Sequence, residues 1–150
     1  MRTLNTIMVI DDDPMTAIIF EKINGVLHFA QEVLSFYSAV DGLDYLLTLK
    51  DSRQHAPDAI FLDITMPIVS GWQFLEQYEA RSFPETTVYM LTASDDQSDI
   101  NRAKKFANVK DYLVKPLTLN LVRTVLEDLT PPSDRSSALL PKDTVVGKVG

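Results

Sequence analysis

Four places in the chain set a polar or charged residue at the end of a short apolar run. Asp11, Asp12 and Asp13 follow directly on Ile7–Ile10, Asp63 lies at the end of the run AIFLD, Thr92 follows Val88–Leu91, and Lys115 follows Tyr112–Val114. Each has an ordinary explanation when taken alone: an Asp run caps a helix, a Thr opens a turn, a Lys-Pro pair ends a strand. Asp63 resists that reading most, because it continues an apolar run and an unpaired carboxylate is costly to bury. Gathered in one place, the residues have a specific chemistry. Three carboxylates within about 5 Å repel by ~3 kcal/mol per pair at an effective dielectric of 20, so they need a cation. Oxygen-only ligation suits a hard ion, Mg²⁺ (or Mn²⁺), which keeps several waters and bridges to phosphate. Lys115 then acts as a point charge for an incoming phosphoryl oxygen. A carboxylate held beside such an ion, a lysine and a hydroxyl is a competent nucleophile at phosphorus.

Positioning these residues is the task of the elements between them. The expected strands are Ile7–Ile10, Val33–Ser38, Ala59–Ile64, Thr87–Leu91 and Tyr112–Val114. Several are nearly continuous in Val, Ile, Leu and Phe, as parallel strands covered on both faces are. The intervening segments read as helices. Val122, Val125, Leu126 and Leu129 recur at helical spacing behind a capping Thr118. Ser94-Asp95-Asp96-Gln97 has the spacing of a capping box. Phe74, Leu75 and Tyr78 give the third helix its inward face, after a turn marked by Pro67 and Gly71. Leu43, Leu46 and Leu47 do so for the second, and Met15, Ile18, Ile19 and Phe20 for the first. Five strands alternating with five helices give an α/β fold, a doubly wound parallel sheet with helices on both sides. Ligands of such sheets sit beyond the carboxyl ends of the strands, where all four polar clusters fall.

Composition removes whole classes of function. The 150 residues contain no cysteine and only two histidines, His28 and His55, which excludes disulfides, zinc knuckles and a multi-histidine metal site. The net charge of −7 argues against direct nucleic-acid binding. No apolar run approaches the ~18–20 residues of a membrane span, and MRTLNTIMVIDDD is no secretory signal, so a cytoplasmic domain is expected. Residues 130–150 carry three prolines, no aromatic residue and a slight positive charge, and read as a flexible tail. The folding unit is therefore placed at 5–129. The roughly 21 residues beyond Leu129 fall short of an independent output domain, so a stand-alone unit is expected.

With these residues in view, the sequence resembles the receiver domains of two-component response regulators, of the chemotaxis-regulator type. The likeness runs from residue 5 to about 129 and rests on IDDDP, FLDITMPIVSG, MLTAS and DYLVKP, in that order. It implies a five-stranded sheet of order 2-1-3-4-5. Asp63 would be the phospho-acceptor. Asp12 would bind Mg²⁺ directly, Asp11 mainly through water, and the backbone carbonyl of Thr65 would be a further ligand. Lys115 and the Thr92 hydroxyl would meet the phosphoryl group, with the amides of Thr65 and Ala93 completing its oxygen shell. Tyr112 would be the aromatic switch that follows Thr92, and Pro116 would hold the loop after Lys115. Asp13 matches no ligand position and reads as a helix cap. Thr65 stands where many relatives carry a longer polar side chain, and with Ser94 it is a position that tunes phosphoryl lifetime. FANVKDY replaces the usual Gly-Ala turn before the fifth strand, with Asn108 expected in the left-handed conformation.

The resemblance implies phosphoryl transfer from a histidine kinase or a histidine phosphotransfer protein to Asp63. The protein would not be an enzyme beyond its own phosphorylation and dephosphorylation. Its readout would be a protein–protein contact on the fourth helix, fifth strand and fifth helix, where Lys104, Lys105 and Lys110 form a small basic patch. Two alternatives stay open at this point. One is a phosphatase of the haloacid dehalogenase type using Asp11 of Asp11-Asp12-Asp13 as nucleophile. The other is a phosphorylation-independent scaffold with the same fold.

Overall fold

A computed structural model describes residues 3–83, 86–93 and 96–129. In chain order these form β1 (Leu4–Ile10), α1 (Pro14–Leu27), β2 (Ala30–Phe36), α2 (Ala39–Asp51), β3 (Ala59–Asp63), α3 (Gly71–Ala80), β4 (Thr87–Thr92), α4 (Gln97–Ala103), β5 (Val109–Val114) and α5 (Leu119–Asp128). The strands pair in parallel in the order β2-β1-β3-β4-β5, as expected. No described helix is long and apolar enough to cross a membrane.

Alternation along the strands divides the core in two. Met8, Ile10, Ile60, Leu62, Val88 and Met90 face α2 and α3, meeting Leu43, Leu46, Phe74, Leu75 and Tyr78. Ile7, Val9, Phe61, Tyr89 and Leu91 face Phe20 and Ile23 of α1 and Val122, Val125 and Leu126 of α5. Helices on both faces explain why the central strands are apolar at every position rather than at every second one. Tertiary packing of these faces, more than helix propensity, holds the helices in place.

The ends of the elements are fixed by local bonds. Asp13 caps α1 by accepting from Met15 N at 3.0 Å, and Thr118 caps α5 by accepting from Leu121 N at 3.1 Å, both as expected. Several expectations are corrected. β2 stops at Phe36, because Ser38 accepts from Asp41 N and caps α2 instead of extending the strand. The described cap of α4 is Asp96, which accepts from Ser98 N at 2.9 Å. Ser94 and Asp95, and with them the expected box, lie outside the described residues, as does the expected tail at 130–150. A capping box does form at α3, between Ser70 and Gln73. The inward face of α1 is Thr16, Ala17, Phe20 and Ile23, whereas Met15 (54 %) and Ile18 (38 %) are exposed. Asn108 does not take the left-handed conformation. The turn before β5 closes by Val109 N donating to Phe106 O, and Asn108 O accepts from Val88 N, which needs no positive φ.

Candidate functional site

Register decides which residues meet. Ile10 pairs with Leu62, so Asp11 comes level with Asp63; Asp63 pairs with Leu91, and Thr92 with Val114. Asp11, Asp63, Thr92 and Lys115 therefore emerge from four neighbouring strands along one sheet edge. Backbone bonds continue the sheet past its last residues: Asp11 N donates to Phe36 O, Ile64 N to Leu91 O and Lys115 N to Thr92 O. The loops carrying the polar groups are thus anchored to one another.

The carboxylates of Asp11, Asp12 and Asp63 each bring an oxygen to within 4.8 Å of the others. Asp11 (2 %) and Asp63 (5 %) are buried, while Asp12 is exposed. Lys115 Nζ stands 2.6 Å from Asp11 Oδ2 and 3.5 Å from Asp63 Oδ1. Thr92 is buried at the end of β4, Thr65 and Ala93 are exposed in the loops after β3 and β4, and Tyr112 is half-buried on β5 beside the α2–α3 core. Lys115-Pro116 is a cis peptide bond.

Two contributors were not singled out in the sequence as part of this site. Thr16 is buried on α1 and its Oγ1 donates to Asp11 Oδ2 at 2.6 Å, while Asp13 N donates to Oδ1 at 3.0 Å. A threonine one turn into a helix gives no sign of that partner in the sequence. Gly71 opens α3 with its amide donating to Ile64 O at 2.8 Å. A Cβ there would come within 2.4 Å of Asp63 O and 2.9 Å of Ile64 Cα, so only glycine lets α3 start this close to the strand that ends in Asp63. Its place in MPIVSG was the available signal.

The electrostatics separate the two buried acids. Burial disfavours the Asp11 carboxylate, but hydrogen bonds from Lys115, Thr16 and the Asp13 backbone, with the lysine charge, hold it below the usual carboxylate range. Asp63 is pushed up to about 7, by burial first and then by the charge of Asp11, with Lys115 opposing. Burial works against the Lys115 ammonium, yet its hydrogen bonds and the charges of Asp63 and Asp11 raise it above the ordinary lysine value. One lysine thus satisfies one acid and leaves a second in electrostatic deficit. Oxygen donors alone, an excess of negative charge and a partly open rim together fit a hard divalent cation.

Comparison with known proteins agrees with this arrangement. Residues 7–127 match the family described as response regulator receiver domain. A probable C4-dicarboxylate response regulator from Priestia megaterium is 30% identical over 125 residues, which cover 81% of this chain and 50% of that protein. The chain spans about half the length of the curated relatives it matches first. Among solved structures, a two-component response regulator from Cytophaga hutchinsonii superposes with a TM-score of 0.76 at 26% identity, covering 85% of this chain and 98% of that one. A receiver domain from Clostridium thermocellum does so with a TM-score of 0.63 at 27% identity, covering 84% and 94%. Because the matched span runs from within β1 through β5 and includes every residue of the acid cluster, the chain belongs to the response regulator receiver domain family of two-component signalling.

Proposed function

We propose that Asp63 accepts a phosphoryl group from a phosphohistidine on a sensor histidine kinase or a histidine phosphotransfer protein, and that the phosphorylated domain signals through a protein contact. The observation that carries this reading is the convergence from three strands of three carboxylates, with oxygens within 4.8 Å of one another, and of Lys115, 2.6 Å from Asp11 and 3.5 Å from Asp63. Asp12, Asp11, Asp63 and the backbone carbonyl of Thr65 would hold Mg²⁺ (or Mn²⁺), which when bound supplies positive charge against the mutual repulsion and for the phosphoryl oxygens. Asp63 attacks phosphorus, the P–N bond of the donor breaks, and the imidazole leaves with the electron pair. Lys115 pairs with a phosphoryl oxygen, and Thr92 donates its hydroxyl to another. The amides of Thr65 and Ala93 complete the shell. Water returns the acyl phosphate to the carboxylate, at a rate set in part by the side chains at 65 and 94.

The assignment of Asp63 rather than Asp11 as nucleophile follows from their bonds. Both Asp11 oxygens are engaged, Oδ1 by the Asp13 amide and Oδ2 by Thr16 and Lys115, which suits a fixed ligand better than an attacking group. The tug on Thr92 is read by Tyr112, two strand-end positions away on β5, and passed to the face formed by α4, β5 and α5. The receiver unit is assigned to residues 5–129. The test is incubation with a small phosphoryl donor and Mg²⁺, read by mass. Wild type should gain one phosphoryl group and Asp63→Asn none. Gain retained in Asp63→Asn would favour the phosphatase chemistry at Asp11. No gain in wild type, with beryllofluoride and Mg²⁺ leaving the Trp72 and tyrosine spectra unchanged, would favour the scaffold.

A further inference from the structure

One oxygen of Asp11 is shared by two donors. Lys115 Nζ and Thr16 Oγ1 each lie 2.6 Å from Oδ2, while Oδ1 accepts from the Asp13 amide at 3.0 Å. Both contacts to Oδ2 are of the short, charge-assisted kind. Lys115 is the exchangeable partner. Its side chain is partly exposed, it reaches the site on a flexible four-carbon stem, and it already stands between two acids, with Asp63 Oδ1 at 3.5 Å. Thr16 is the fixed one. The Asp13 cap and Pro14 start α1 directly after the acids, and Thr16 N closes the turn by donating to Asp13 O at 3.2 Å. That sets residue 16 beside the end of β1, buried, on a β-branched side chain with few rotamers. A threonine in a helix can bond a carbonyl of the turn before. This one gives its single proton to Asp11 instead.

We propose that Thr16 is a positioning residue for phosphoryl capture: it keeps Asp11 satisfied and in place when Lys115 leaves it for an oxygen of the group on Asp63. The inference rests on the reading of Asp63 as phospho-acceptor and deepens it. Without the Thr16 hydroxyl, departure of Lys115 strips Oδ2 of both its donors, at a buried site where an unpaired carboxylate oxygen is costly. The lysine then stays on Asp11, and the phosphoryl oxygens lose their cation. With the hydroxyl present, Lys115 moves from acid to phosphoryl group as an exchange of one anionic partner for another. Thr16 therefore matters most in the loaded state, since in the resting structure it and Lys115 hold Oδ2 together.

The test compares two titrations of the full chain: Mg²⁺ alone, by calorimetry, and beryllofluoride at saturating Mg²⁺, by fluorine nuclear magnetic resonance. Wild type, Thr16→Val and Thr16→Ser are measured in both. Val keeps the branching and removes the donor, whereas Ser keeps the donor and removes the methyl group. Thr16→Val should weaken beryllofluoride about tenfold and Mg²⁺ alone less than about threefold, with Thr16→Ser within about twofold of wild type on both. A threonine that merely packs would shift the two ligands equally and would not be rescued by serine. Should the valine variant not fold, Thr16→Ala against Thr16→Ser repeats the comparison with the methyl group absent from both. Equal losses on the two ligands, no loss in the variant lacking the hydroxyl, or a loss in Thr16→Ser as large as in that variant would overturn the proposal. Wild type that binds no beryllofluoride would refute the reading beneath it, Asp63 as phospho-acceptor, and this inference with it.

Discussion

Replacing Asp63 with Asn should stabilise the protein when no metal is present. The pairwise charges nearly balance. At an effective dielectric of 20, a carboxylate pair 4.8 Å apart repels by ~3.5 kcal/mol, and the exposed Asp12, screened by water, adds ~1 kcal/mol. Against this, Lys115 at 3.5 Å attracts by ~4.7 kcal/mol. Burial decides the sign, because Asp63 is 5 % exposed and its charged form has lost most of its hydration. A carboxyl that titrates at about 7 in the fold and near 4 in the unfolded chain loses at most ~4 kcal/mol at alkaline pH. Desolvating the Asn amide returns part of that, leaving about 2 kcal/mol, or roughly 6 °C in Tm for a domain of this size. The sign with pH follows from linkage. Between about 4 and 7 the unfolded chain is ionised while the folded chain keeps its proton, so wild type weakens relative to Asp63→Asn as pH rises and the gap levels above 7. Thermal melts in chelator at pH 4, 6 and 8 measure this, and saturating Mg²⁺ should favour wild type instead. A variant no more stable than wild type at pH 8 in chelator, or a gap that ignores pH, would refute the reasoning.

Other perturbations probe separate parts of the site. Gly71→Ala should destabilise by about 2–3 kcal/mol in urea denaturation, since the new Cβ meets backbone atoms of Asp63 and Ile64 that no side-chain rotation can move. Thr16→Val removes a buried bond to a charged oxygen and should cost about 2 kcal/mol at neutral pH. Because Asp11 is held below the usual range, its stabilising contribution is present above about pH 4 and is lost as pH falls through its folded value, so the Thr16→Val deficit should fade in acid melts. Asp12→Asn should weaken Mg²⁺ affinity at least tenfold by calorimetric titration, while in chelator at pH 8 relief of its ~1 kcal/mol repulsion on Asp63 should raise Tm by about 3 °C.

The parts of this molecule that were legible in sequence are those where one physical demand dominates. Ile60–Leu62 had to be a strand covered on both faces, and the acid at its end had to be explained by chemistry rather than packing. Thr118 and Asp13 were legible as caps because a side-chain oxygen before an apolar period has few other uses. The edge strand β2 was harder: Ala30, Gln31 and Glu32 carry little apolar signal, and their place is set by pairing with β1. The face of α1 was misjudged because hydrophobicity alone does not tell Met15 and Ile18, which face solvent, from the smaller Thr16 and Ala17, which are buried. Within the site, the meeting of distant residues was inferable from strand ends. The division of labour was not: that Lys115 sits on Asp11 rather than midway, and that Thr16 completes the Asp11 shell, depends on ångström-scale register. Gly71 was visible only as a turn marker, since close approach to Asp63 O is a property of two elements at once.

Borohydride trapping tests the central claim most directly, because it reduces an acyl phosphate to an alcohol at the residue that carried it. After treatment with a phosphoryl donor and Mg²⁺, peptide sequencing should find homoserine at position 63 alone, and none when Mg²⁺ is chelated. Homoserine at position 11 or 12, or labelling at 63 that proceeds equally without the metal, would contradict it.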